Sequence, residues 1–249
     1  MRFKKFLNHW WSSIFTFRNP ISTGRHLISF LKDWYEYKNI IGSEKIKIID
    51  SQPQIFDRSV KTPFDTHYVY QSYWAFQHIQ SIKPNFHIDL GSQVQHNVLL
   101  SLFTPVFVVD IRPFQSNFSF INHITSDIQN LPFSSNSVES ISCLHVIEHI
   151  GLGRYGDKLN PFGTKESCRE ISRVLKPGGN LFLSLPVGNS RLCFNSHRIH
   201  NPNQILDYLN DLSLIEFSGI DDDGNFLHNI EPNELENSEY ACGLFWMTK

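Results

Sequence analysis

Two acids punctuate the middle of the chain, each closing an apolar run. FHIDLGS carries Asp89 and, about twenty residues later, VFVVDIRP carries Asp110. A carboxylate at such a point can accept hydrogen bonds from two adjacent hydroxyls, the pattern a ribose presents. Gly91 follows the first acid, where a missing Cβ lets the backbone approach a ligand. Each acid also has a purely structural reading: Asp89 as a buried strand-end carboxylate, Asp110 as a turn residue ahead of Pro113. Farther on, His145, Glu148 and His149, followed by Arg154, Tyr155 and Asp157, gather titratable groups within a short span. Groups of these types can take a proton from an acceptor hydroxyl. His145 or Asp157 is the expected base, with His149 next and Glu148 beside them.

The string HVIEH also reads as H-x-x-E-H, in which a helix would bring two histidines onto zinc and a glutamate onto water. A helix of several turns is not expected here, because His145 directly follows the strand-like SISCL and Gly151 and Gly153 come soon after. His197 and His200 could join His145 and His149 around one ion, but no acid or cysteine stands at matching spacing, so no metal site is assigned.

These residues need strand ends to hold them. Apolar runs predict strands at 86–90, 106–111, 118–124, 140–144, 180–185, 212–218 and 243–247, with helices at 96–103, 165–175 and 203–209. Such alternation means a doubly wound, mostly parallel α/β sheet of seven strands with helices on both faces. Pro177, Gly178 and Gly179 predict a tight turn delivering the fifth strand. The acidic stretch 221–239 is expected to be a surface loop. Ahead of the sheet, 26–40 and the aromatic segment THYVYQSYWAFQHIQSI predict helices, and KIKIID, 45–50, a strand. The division expected is a helical and aromatic N-terminal extension, 1–83, and a cofactor domain, 84–249.

The 249 residues fit such a domain with an extension. Lys plus Arg number 22 against 24 Asp plus Glu, so no global basic surface calls for nucleic acid. Four cysteines lack CxxC spacing, and three lie in or beside apolar runs, as reduced core thiols of a cytoplasmic protein would. No apolar run approaches a membrane span. Residues 1–18, basic and rich in Trp and Phe, form a pattern that could lie on a membrane surface; packing on the chain itself or on a second copy is the plainer alternative.

The block SDIQNLPFSSNSVESISCLHVIEHI and the run RVLKPGGNLFLSLPVG together resemble the class I S-adenosylmethionine-dependent methyltransferases. The resemblance implies S-adenosylmethionine as cofactor, held by Asp89, Gly91 and Ser92, by Asp110 and Ile111 on the ribose, and by Asp127 and Ile128 at the adenine. It also makes the aromatic helix a cap, with Tyr70, Tyr73 and Trp74 as lid residues, where the bare pattern reads as core. Gln93 and Gln95 depart from the family, standing where it has glycines. They must turn away from the cofactor, or fill its place.

The strings CLHVIEHIGLGRYGD, CFNSHRIHNP, FSGIDDDG and CGLFWMTK are further similar to an uncharacterised bacterial family found among surface-polysaccharide biosynthesis proteins. That similarity implies O-methylation of a saccharide or nucleotide sugar, with Arg191 and Arg198 available to an anionic acceptor. A fold that keeps its shape but has changed its cofactor, serving as a binding partner in glycan assembly, is the rival reading, and metal-assisted hydrolysis a third.

Overall fold

The computed structural model describes residues 7, 10, 11, 20–114 and 117–249. The chain divides into two compact units, 1–64 and 65–249. The division therefore falls ahead of the aromatic helix, not behind it at 83, because that helix buries its apolar face on the sheet.

In the first unit, α1 (Pro20–Lys38) is followed by a single 3-10 turn at Ile48–Asp50, where the alternation of KIKIID predicts a strand. A lone strand has no partner to satisfy its backbone groups, so alternation alone does not make one. Trp10 donates from Nε1 to Ser51 Oγ at 3.0 Å, and its ring meets Phe30 edge-on. The remaining residues of the amphipathic 1–18 pattern lie outside those described. Among the described residues no helix is long and apolar enough to cross a membrane.

The second unit opens with α2 (Thr66–Ile82), started by the Asp65 carboxylate accepting from Tyr68 N and ended by Lys83 in the left-handed region ahead of Pro84. The sheet has eight strands in the order β3-β2-β1-β4-β5-β10-β8-β9. These are β1 (His87–Leu90), β2 (Val106–Asp110), β3 (Ile121–Thr125), β4 (Val138–Leu144), β5 (Leu175–Val187), β8 (Ser213–Ile220), β9 (Phe226–Leu227) and β10 (Ala241–Thr248). β1 to β5 run parallel, and β10 enters antiparallel between β5 and β8. Two differences from the seven-strand expectation follow from short pairings. β9 arises inside the acidic 221–239 stretch, and β6 (Arg191–Cys193) pairs with β7 (His197–Ile199) as a separate hairpin. The Lys-Pro-Gly-Gly segment is not a turn before β5 but an excursion within it, where the register slips between Leu175 and Asn180.

Both faces of the sheet are covered, as a mostly parallel sheet requires. Strand alternation sends Leu181, Leu183 and Leu185 of β5 to one core and Phe182 to the other. On the first side lie α4 (Gly163–Val174), which buries Thr164, Ser167, Cys168 and Ile171 at helical spacing, and α5 (Pro202–Tyr208). On the second lie α2 and α3 (Val94–Leu100), with Trp74, Ala75 and Ile79 packed among Val108, Leu144 and Leu244. All four cysteines are unpaired, and Cys143, Cys168 and Cys242 are buried.

Candidate functional site

The strand order reverses at β1, since β2 lies on one side of it and β4 on the other. The crevice left at their carboxyl ends is where open α/β sheets bind ligands. A cleft of about 700 Å³, open mouth included, lies there. Its lining brings together Gly91, Asp110, Ile111, Asp127, Ile128, His145, His149 and Asp157, with Arg112, Val146 and Tyr155.

Gly91 has φ +70°, and a Cβ there would meet Val146 Cγ1 at 3.4 Å and Asp110 Oδ2 at 3.5 Å. The bare backbone thus stands beside the Asp110 carboxylate and leaves room above it. Asp110 Oδ1 accepts from Arg112 N at 2.7 Å, which orients the carboxylate. Asp127 is similarly oriented by Gln129 N at 2.9 Å, and Ile128 is buried beside it. Arg112 crosses to the loop after β4, its guanidinium 4.2 Å from the centre of the Tyr155 ring.

Asp89 and Ser92 stand outside the lining. Fully buried, Asp89 accepts from Ser92 N, Ser92 Oγ, Asn97 Nδ2 and Ser142 Oγ, all within 2.6–2.9 Å, which fills its acceptor capacity. Ser92 Oγ also accepts from Leu144 N, so the pair ties the loop after β1 to α3 and β4. Of the two readings of Asp89, the geometry is that of the structural one. Gln93 and Gln95 are exposed at the start of α3, and neither lines the cleft. Without its usual glycines the loop is short and passes straight into the helix, so the amides point to solvent.

Past β4 the chain turns sharply, with His145 at φ +56° and a single 3-10 turn at Ile147–His149. His145 and His149 therefore do not share a helix face, and the H-x-x-E-H zinc arrangement is not formed. Glu148 is fully buried and outside the lining; its Oε1 lies 2.8 Å from His145 Nδ1 and 3.7 Å from His149 Nε2. Burial works against the His145 charge, but the adjoining Cys242 and Glu148 outweigh it and lift the imidazole to about 10. Burial likewise opposes ionised Glu148, and the bond and charge of His145, then His149, hold its carboxyl below the usual range. His145 therefore stands as a cation rather than as a free base.

Asp157 is engaged too. Its carboxylate accepts from Gly151 N at 2.7 Å, Gly153 N at 3.3 Å and Tyr155 N at 3.2 Å. Burial would raise its pKa, but these backbone donors lower it. Gly151, at φ +82°, has no room for a side chain, since a Cβ would lie 2.1 Å from the Asn160 carbonyl. Asp157 thus folds the loop that presents Tyr155. His149 Nδ1 donates to the Ser196 carbonyl at 2.6 Å, leaving Nε2 as the ring nitrogen to exchange a proton.

The four-histidine arrangement is not assembled either, because His200 is occupied by Gln204 and Thr164. Arg198 is spent on the Ile150 and Asn160 carbonyls, and Arg191 on Asn189 and Glu239, so neither is a ready anion receptor. Trp74 is buried and donates to Glu216, Tyr70 packs on Phe226, and Tyr73 is exposed; none lines the cleft, and α2 is core here rather than lid. Instead the start of α2 sends His67 to stack with His145 and Tyr240. That ring cluster, and the Arg112–Tyr155 contact, escaped sequence reading because their members are far apart in the chain.

Residues 89–235, more than half of the chain, match the family described as "Caenorhabditis protein of unknown function, DUF268". That description names neither bacteria nor polysaccharides. No curated protein matches the chain. Solved structures with the same fold include N-methyltransferase NodS from Bradyrhizobium japonicum WM9, crystallised with S-adenosyl-L-homocysteine, at 13% identity and a TM-score of 0.52, over 80% of this chain and 93% of that one. The 1,6-didemethyltoxoflavin-N1-methyltransferase of Burkholderia thailandensis, also with S-adenosylhomocysteine, aligns at 10% identity and a TM-score of 0.51, over 94% of this chain and 92% of that one. At such identities the likeness establishes the class I methyltransferase fold.

Proposed function

This chain belongs to the DUF268 family, whose description assigns no activity, and we propose from its site that it is an S-adenosylmethionine-dependent methyltransferase acting on a hydroxyl of a saccharide or nucleotide sugar. The observation that carries the cofactor reading is the open cradle between Gly91, Asp110 and Val146, which the neighbouring glutamines do not enter. These residues fit the group. Asp110, already oriented by Arg112 N, would accept the ribose hydroxyls; Asp127 would meet the adenine amino group, and Ile128 and Val109 would cover the ring. The cofactor supplies a methyl carbon made electrophilic by its sulfonium.

What remains for the protein is alignment, exclusion of water and a destination for the proton. Arg112 over Tyr155 closes one side of the cleft. Buried cationic His145 cannot accept a second proton, and Asp157 is engaged by its own loop, so the role of base passes to His149 through Nε2. Support for a saccharide comes from the sequence resemblance and from half-buried Tyr68 and exposed Tyr240, packed against buried His145 and His67, whose rings give apolar sugar faces a surface to stack on. Full-length protein incubated with S-adenosylmethionine and a panel of nucleotide sugars, read by mass spectrometry, tests the reading. A methylated sugar product is expected, and His149→Gln should lower kcat by on the order of 100-fold or more while leaving S-adenosylhomocysteine affinity unchanged. Methyl transfer only to amines or carbon acids would refute the acceptor class, and an unaltered kcat in the variant would refute the base.

A further inference from the structure

Beside the cofactor cleft, three elements converge on one buried point. His67 comes from α2, His145 from the end of β4 and Cys242 from β10, and one potential ligand atom from each lies within 4.8 Å of the others. Cys242 is fully buried and His145 is 8% exposed. His145 has one ring nitrogen, Nδ1, bound to Glu148 Oε1 at 2.8 Å, while buried Nε2 makes no hydrogen bond of ordinary geometry, with Cys242 as its neighbour. A buried imidazole nitrogen left unsatisfied is costly unless something occupies it.

We propose that His67, His145 and Cys242 form a binding site for a divalent transition metal of the zinc class. Imidazole nitrogen and thiolate sulfur are both zinc ligands, and three protein ligands leave a fourth position open. Metal-bound histidines commonly hand their other nitrogen to a carboxylate, which fixes the ring and raises its basicity, and Glu148 stands in that position. Bonds of about 2.0–2.3 Å to a tetrahedral ion place ligand atoms roughly 3.3–3.7 Å apart, so the three side chains must draw together by about 1 Å. On binding, the metal takes the place of the protons carried by its ligand atoms, which leave to solvent. The open position would take water or an acceptor oxygen, since His145 also lines the cleft. The proposal does not depend on methyl transfer, because metal uptake is measured without cofactor or acceptor.

The test uses the full chain, reduced and stripped with chelator, then exposed to excess Zn²⁺ or Co²⁺ and desalted. One equivalent of metal by elemental analysis is expected, and the cobalt form should show a thiolate-to-cobalt charge-transfer band. His67→Gln should weaken uptake by at least tenfold, Cys242→Ser should remove the charge-transfer band, and Cys193→Ser, at a half-buried cysteine outside the cluster, should change neither. If Cys242→Ser does not fold, the wild-type cobalt spectrum together with His67→Gln decides. No retained metal, a cobalt spectrum without a sulfur ligand, or undiminished uptake by His67→Gln would overturn the assignment. S-adenosylhomocysteine calorimetry on the metal-free protein separates this failure from failure of the cofactor reading.

Discussion

Asp157 and Gly91 show how single residues shape the cleft without entering any reaction. Because backbone donors hold the folded Asp157 carboxyl below its usual 3.8, its contribution to stability is present above that value and is lost as pH falls through the lowered folded one. Melting temperatures of wild type and Asp157→Asn should therefore differ at neutral pH and converge as pH falls below 3.8; a gap that stays constant would remove Asp157 from the loop's support. Gly91→Val places a branched side chain at a left-handed φ between Val146 and Asp110. It should cost about 1–2 kcal/mol of stability from the backbone alone and weaken S-adenosylhomocysteine binding by more than tenfold, read by thermal melting and calorimetry. The places of Asp110 and Gly91 in the cleft lining were legible because spacing and strand ends define such positions. Asp89 was not, because a strand-end carboxylate satisfied by Ser92, Asn97 and Ser142 looks the same in sequence as one awaiting a ligand.

Among the elements, α2 separates the two readings of an aromatic stripe. Trp74 packs edge-on against Phe182 and donates to Glu216, whereas Tyr73 projects outward. Trp74→Ala should cost about 3–5 kcal/mol in chemical denaturation, Tyr73→Ala under about 0.5 kcal/mol, and neither should change cofactor affinity directly; a Tyr73 variant that binds cofactor tenfold less well would restore the lid. Helical periodicity announced α2 but not which ring faced inward. The long strands were legible from their apolar runs, while β9 and the β6–β7 hairpin, two and three residues long, carry too little pattern to be seen. The 3-10 turn at Ile147–His149 was legible indirectly, through the glycines that forbid a longer helix there.

For the molecule as a whole, the boundary at 64/65 leaves α2 with the sheet, so a chain beginning at Asp65 keeps both layers that sandwich the strands. That shortened chain should fold cooperatively and bind S-adenosylhomocysteine as the full chain does, whereas one beginning at residue 84 should lose Trp74 and Ile79 from the core and unfold. That the sheet is mostly parallel was readable from alternation; the burial of His67 against His145 and Cys242 was not, since only the completed sheet brings residues so distant in sequence together. The account rests on an adenosine-bearing cofactor seated between Gly91, Asp110 and Ile128. Calorimetry of the full chain with S-adenosylhomocysteine addresses that directly: one site with a Kd on the order of micromolar is predicted, weakened at least a hundredfold by Asp110→Ala in a protein that melts as wild type does. A folded wild-type protein giving no binding heat at millimolar ligand, or an Asp110→Ala variant binding as tightly as wild type, would contradict it.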